Sequence, residues 1–157
     1  MRTTEPPKWA SDYLSSVYRL MGYSEKPPAL TWANARPGTG TGGRAWYPGY
    51  YYLYGRIHLT ADELDIDGVL RTLLHEIAHV RNPKAHHGPV FWDTCWKLYI
   101  EFGMDTDKCL EEEAGYKEES IRAARRAGVI PGSDARRLVS ERRKRLAQAR
   151  KQDTSAE

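Results

Sequence analysis

The apolar positions of this chain recur with two periods, and the change from one to the other predicts its elements. Trp9, Tyr13, Leu14, Val17, Leu20 and Met21 fall at helical spacing after Pro6-Pro7. Gly22 and then Pro27-Pro28 stop that helix. Residues 29–35 form a short strand. Residues 37–43, Pro-Gly-Thr-Gly-Thr-Gly-Gly, read as a mobile hairpin connection. No Gly-Lys-Ser/Thr follows them, so they do not match a phosphate-binding loop. The tyrosine-rich stretch 45–60 reads as one or two strands turned at Pro48-Gly49. Its last six residues, 55–60, alternate and lead into the next element.

Helical spacing then returns. Thr60-Ala61-Asp62-Glu63 fits a capping box, and Asp67 offers a second helix start. The helix from about residue 68 runs to Asn82-Pro83, where proline stops it. Val69, Leu70, Leu73, Leu74, Ile77 and Val80 share one broad apolar arc of this helix. Gly88-Pro89 opens another, in which Phe91, Cys95, Leu98 and Phe102 make one stripe flanked by Trp92, Trp96 and Tyr99. Asp93, Lys97 and Glu101 take its far side, and Gly103 ends it. The acidic cluster Glu111-Glu112-Glu113 follows. Two further helices, about 117–127 and 133–152, are separated by Gly128 and Pro131-Gly132.

Composition narrows the class. The 157 residues, 40% hydrophobic and 29% charged, suit one compact domain with an appendage. No apolar run approaches the ~18–20 residues of a membrane span. No apolar stretch follows Arg2, so no secretory signal is expected. Cys95 and Cys109 make neither a metal knuckle nor a disulfide framework, and a reducing, cytoplasmic location is expected. Net charge is +3, but it is unevenly placed. Residues 134–157 carry eight basic and four acidic side chains, against sixteen and seventeen elsewhere.

The chemistry lies in His75-Glu76-Ile77-Ala78-His79. Four residues at ~100° each put the two imidazoles about 40° apart on one helical face, within reach of one metal ion. Gly68 and Thr72 precede them on that face and leave room for a cleft. Glu76 sits at the edge of the apolar arc, near the metal without being a natural ligand. Zn2+ held by three protein ligands keeps a fourth position for water and lowers its pKa to about 7. A neighbouring carboxylate then takes the proton and passes it to the leaving amine, the role read for Glu76. The third ligand is His87 or His86. His87 is preferred because it directly precedes the Gly88-Pro89 helix start. Glu101, with Asp105 four residues on, is a further candidate, but it shares a face with Lys97, which points to solvent exposure.

Leu73-Leu74-His75-Glu76-Ile77-Ala78-His79 together with His87-Gly88-Pro89-Val90-Phe91 resembles the SprT-like zinc metallopeptidase family, which includes the Spartan protease. The resemblance covers residues 30–102. It implies His75, His79 and His87 as zinc ligands and Glu76 as catalytic base. It also implies a small α+β zincin-like fold over residues 1–116: a few antiparallel strands packed on the metal helix, with an edge strand taking substrate by strand addition. Residues 117–157 would be a helical basic extension. The cysteine-rich zinc ribbon of many relatives has no counterpart here, so the resemblance implies no DNA contact through it.

The expected function is a zinc-dependent endopeptidase acting on polypeptides, with DNA-associated proteins as one candidate substrate class. One alternative is a nucleic-acid-binding protein with a structural zinc site; another is a hydrolase of non-peptide amides. Arg136, Arg137, Arg142, Arg143, Lys144 and Arg145, continued by Arg150 and Lys151, are candidates for non-specific contact with DNA phosphates. Leu138, Val139 and Leu146 could instead dock that helix on the core. Tyr50, Tyr51, Tyr52 and Tyr54 are expected to pack strands, with one free to steady an oxyanion. His58 is expected to serve a strand face.

Overall fold

The computed structural model describes residues 2–49, 52–114 and 117–154. Its elements are α1 (Lys8–Leu20), β1 (Ala29–Asn34), β2 (Gly42–Trp46), β3 (Arg56–Ala61), α2 (Ile66–Arg81), α3 (Pro89–Glu101), α4 (Thr106–Ala114), α5 (Glu118–Arg126) and α6 (Gly132–Thr154). The class is α+β. Two compact units divide the chain, Met1–His86 and His87–Glu157. The division expected after residue 116 separated the zincin-like domain from its helical extension.

The first unit is built on β3. Its alternation buries Ile57, Leu59 and Ala61 and leaves Arg56, His58 and Thr60 half-buried on the other face. Strand order is β1-β3-β2. β2 pairs antiparallel with β3, as expected for neighbours joined by a turn. β1 pairs parallel with β3, so the sheet is mixed where an all-antiparallel one was expected. The chain reverses twice between β1 and β3, once into β2 and once out of it, which restores its direction. β3 then sits centrally because its apolar alternation is the most regular of the three strands. Thr4 pairs with Trp32 along the outer edge of β1, its N–H donating to Trp32 O at 2.8 Å. Trp9 of α1 meets Trp32 edge-on at 6.4 Å.

α2 packs its apolar arc on β2 and β3, burying Val69, Leu73, Leu74 and Ile77 completely. Each such side chain contributes about 1.5–3 kcal/mol on leaving water. Leu73→Ala would cost about 2–5 kcal/mol. Its N-cap is neither Thr60, which lies in β3, nor Asp67, but Asp65, whose carboxylate accepts from the Gly68 N–H at 3.1 Å. The Asp65 side chain fills the space where a Cβ on Gly68 would stand, 2.1 Å from Oδ2. The space expected beside the histidine face at Gly68 is therefore occupied by the cap. At the other end, Asn82 Nδ2 donates to Ala78 O at 2.8 Å. Arg81 there pairs with Glu25 and lies 3.9 Å over the Tyr23 ring, tying α2 to the α1–β1 connection.

In the second unit α3 buries Phe91, Trp92, Cys95, Trp96, Leu98 and Tyr99, while Phe102 is only half-buried. Trp96 Nε1 donates to Ser120 O of α5 at 2.9 Å. Tyr99 donates to the buried Glu113 carboxylate of α4 at 2.7 Å. Leu138 and Val139 of α6 pack with Ile121 and Ala135, so docking on the core is their role; Leu146 stays exposed. Glu118 clamps α6 to α5 through Arg143 at 2.9 Å and Arg142 at 3.7 Å. No helix among the described residues is long and apolar enough to cross a membrane.

Candidate metal centre

His75 and His79 stand one turn apart on α2, half-buried, with ring centroids 5.1 Å apart. His87 follows the 82–86 segment. The backbone turns sharply just before it, where His86 adopts a left-handed conformation at φ 48°. Such a φ is costly for a residue with a Cβ and marks a fixed turn. It leaves the His86 side chain exposed and His87 half-buried. His87 packs edge-on to Phe91 at 5.0 Å and stacks on Trp92 at 5.8 Å. The spacing of His87 to Phe91 has a local purpose, since the aromatic rings hold the imidazole. Gly88 and Pro89 start α3 with extended φ and ψ at the cap and proline in the first turn.

One ligand nitrogen each from His75, His79 and His87 lies within 4.8 Å of the others. A tetrahedral zinc with bonds of about 2.1 Å needs its ligand nitrogens roughly 3.4 Å apart, a spacing of the same order. Three imidazoles are also a donor set that zinc accepts. Among the described residues, neither His86 nor Glu101 joins this group, and Glu101 is exposed.

Glu76 is buried to 6% exposure on the same helix. Its carboxylate lies against Gly43 of β2. A Cβ on Gly43 would stand 2.7 Å from Glu76 Oε1, 2.8 Å from its Cγ and 2.9 Å from the Thr72 methyl. Real Cβ atoms do not approach so closely, so only glycine lets β2 pass this near. The expected hairpin connection therefore ends two residues early, at Thr41, and Gly42-Gly43 open a strand. Thr72 fills the remaining space beside Glu76 and donates to Gly68 O at 2.8 Å. The available signal was a glycine pair running straight into the strand residues Arg44-Ala45-Trp46, a mark of close backbone approach.

The other face of the sheet carries a separate cluster. Arg56 lies 4.3 Å over the Trp46 ring and donates to the Tyr52 hydroxyl at 2.7 Å. That phenol is therefore engaged on the sheet face. Tyr54 is exposed, and Tyr50 and Tyr51 lie outside the described residues. His58 does serve the strand face, its Nδ1 2.9 Å from Thr31 Oγ1. Burial, then the charges of Arg56 and Arg44, hold its pKa below the ordinary histidine value.

The basic residues of α6 do not share one face. Arg136, Arg143 and Lys144 line a groove against α5. Arg137 pairs with Glu141 at 3.0 Å, and Arg142 turns toward Glu118. Arg145 is exposed, outside the groove lining.

Compared with known proteins, the chain matches no family model, no curated protein and no solved structure.

Proposed function

We propose that this chain is a zinc-dependent endopeptidase of the SprT-like kind. The observation that carries this reading is the convergence of the His75, His79 and His87 nitrogens, with the buried Glu76 carboxylate on the same helix. Zinc held by these imidazoles supplies Lewis acidity, polarising a carbonyl and acidifying water. Glu76 takes the proton of the attacking water and returns it to the leaving amine. β2 is an edge of the sheet running past Glu76, and an extended peptide can add to it through backbone hydrogen bonds. The opposite edge, on β1, is already met by Thr4. Backbone pairing of this sort selects little by side chain, which suits a broad range of polypeptides.

A structural zinc site closes with four protein ligands. The group formed here by the described residues has three, beside a carboxylate suited to base catalysis. This favours hydrolysis over a purely structural metal. The test is Glu76→Gln, assayed for zinc content and for cleavage of unfolded casein. Zinc should remain near one per chain while cleavage falls by about 10²-fold or more. Undiminished cleavage would overturn the assignment of the base, and absence of zinc and cleavage from the parent protein would overturn the whole reading.

A further inference from the structure

A side chain at Gly43 would point at Glu76, so its neighbours in β2 turn the other way. Arg44 and Trp46 therefore stand on the far face of the sheet. There Arg44 is directly opposite His58 of β3, and Trp46 is opposite Arg56. Residues so paired share a face, with side chains in reach of each other. Beside them Gly42 pairs with Thr60, and nothing lies within 4 Å of where a Gly42 Cβ would stand. The missing side chain leaves a groove of about 340 Å³, lined by Gly42, Gly43, Arg44, Trp46, His58 and Thr60.

This groove is cationic. No carboxylate lines it, and neither Arg44 nor Arg56 has an ion pair among the described residues. Arg44 is exposed. Arg56 is committed to Trp46 and Tyr52, and its Nε is buried with no hydrogen-bond partner in the protein. His58 is oriented by Thr31 at Nδ1, which leaves Nε2 only a long approach of 3.5 Å to Thr60. Burial first, then Arg56 and Arg44, disfavour its protonation. Like charges set opposite one another across a ladder repel. A carboxylate over Gly42 would relieve that repulsion, and no lining residue provides one.

The place of the groove decides what would bring the carboxylate. β2 is an edge strand, and the groove lies on its outer face. A strand added to that edge sends alternate side chains to the two faces of the sheet. The residue opposite Gly43 then faces the Glu76 side, and its neighbour opposite Gly42 faces the groove. A carboxylate above Gly42 must cross the strand spacing of about 4.8 Å, which favours glutamate over aspartate.

We infer that the outer face of β2 is a substrate subsite for an acidic side chain, an inference that rests on the peptidase reading. Arg44 is its specificity-determining residue, with His58 beside it. Backbone pairing along the edge stays indifferent to sequence, and the charge beside Gly42 does not. The favoured substrates are extended segments carrying glutamate next to the residue that faces Glu76.

The test uses the full zinc-loaded chain carrying Glu76→Gln. Fluorescein-labelled nonapeptides of alternating serine and valine carry one central glutamate, glutamine or lysine, and binding is read by anisotropy at low salt. One exposed charge pair changes affinity by up to about fivefold, so the glutamate peptide should bind about ten times as tightly as the lysine peptide, with glutamine between. Arg44→Gln should bring that ratio within about twofold, and Arg44→Glu should reverse it. Arg19→Glu, on α1, changes net charge as much as Arg44→Glu and should keep the parent ratio. Each ratio is taken on one protein, so any loss of folded fraction cancels. Cleavage of the three peptides by the parent chain should follow the same order. Equal binding of the three peptides, or none, would overturn the inference. So would a ratio that Arg44→Glu leaves unreversed, or that Arg19→Glu changes as much. A clear ranking in binding, with no peptide cut by the parent, would remove the peptidase reading and leave the groove standing as a site for acidic peptides.

Discussion

Gly43 of the edge strand and Glu76 of α2 are in direct contact, with no room between them for a single methyl group. The relationship joins the surface available for backbone pairing to the carboxylate available for proton transfer. Gly43→Ala must displace Glu76 or push β2 off the helix, because the clash involves the Glu76 Cγ and the Thr72 methyl as well as the mobile carboxylate tip. A displacement of about 1 Å at a catalytic group costs on the order of 10²-fold. Peptide cleavage by Gly43→Ala should fall by about that factor with zinc stoichiometry unchanged. Cleavage at the parent rate would show that the contact does not position the base.

His86 and His87 are neighbours with opposite environments, one exposed and one packed on Phe91 and Trp92. His87→Ala should weaken zinc binding by more than about 100-fold, beyond the 10–100-fold typical of residues that only support a ligand. His86→Ala should leave it within a few-fold. Competition against a chromogenic chelator distinguishes the two, and the reverse ranking would reassign the third ligand.

Tyr99 and Glu113 form a buried hydrogen bond at 2.7 Å between α3 and α4. Burial, foremost, holds the Tyr99 phenol well above its usual pKa, so it stays a donor at all ordinary pH. Tyr99→Phe takes a donor from a buried carboxylate. The expected loss is about 1–3 kcal/mol in urea unfolding. An unchanged midpoint would mean that Glu113 finds another donor or takes up a proton without penalty.

His58 makes stability depend on pH in one direction. Its pKa in the folded chain is lowered by burial, Arg56 and Arg44, so the unfolded chain accepts the proton first as pH falls. Its contribution is constant above the ordinary histidine pKa of about 6.5 and is lost as pH falls from there through the folded pKa. His58→Gln should therefore flatten part of the decline in urea midpoint between about pH 7.5 and pH 5. A parallel decline in both proteins would show that the cluster of Arg44, Arg56 and His58 carries no such linkage.

The elements themselves were mostly legible from periodicity. α1, α2 and α3 appear close to where their apolar stripes placed them, and the stop signals at Gly22, Asn82-Pro83 and Gly103 held. Departures occurred where a local pattern had rivals. Thr60 to Glu63 looked like a cap but was consumed by β3 and the following turn, leaving Asp65 to cap α2. Gly42-Gly43 looked like loop but extend a strand, because pairing with Leu59 and Thr60 outweighs the poor strand propensity of glycine.

What the sequence determined by itself is the geometry inside single elements. Helical periodicity put His75 and His79 on one face with Glu76 beside them, because four residues along a helix have no other arrangement, and Gly88-Pro89 put His87 next to the start of α3. Tertiary structure alone decided the rest: that Gly43 lies against Glu76, that β1 runs parallel to β3, that His87 and not His86 turns inward, and that Arg125 meets Arg136 and Lys144 across one groove. These pairs are separated by loops whose paths are set by packing and by left-handed residues such as Gly55, His86 and Gly128. No local period in the chain encodes that distance.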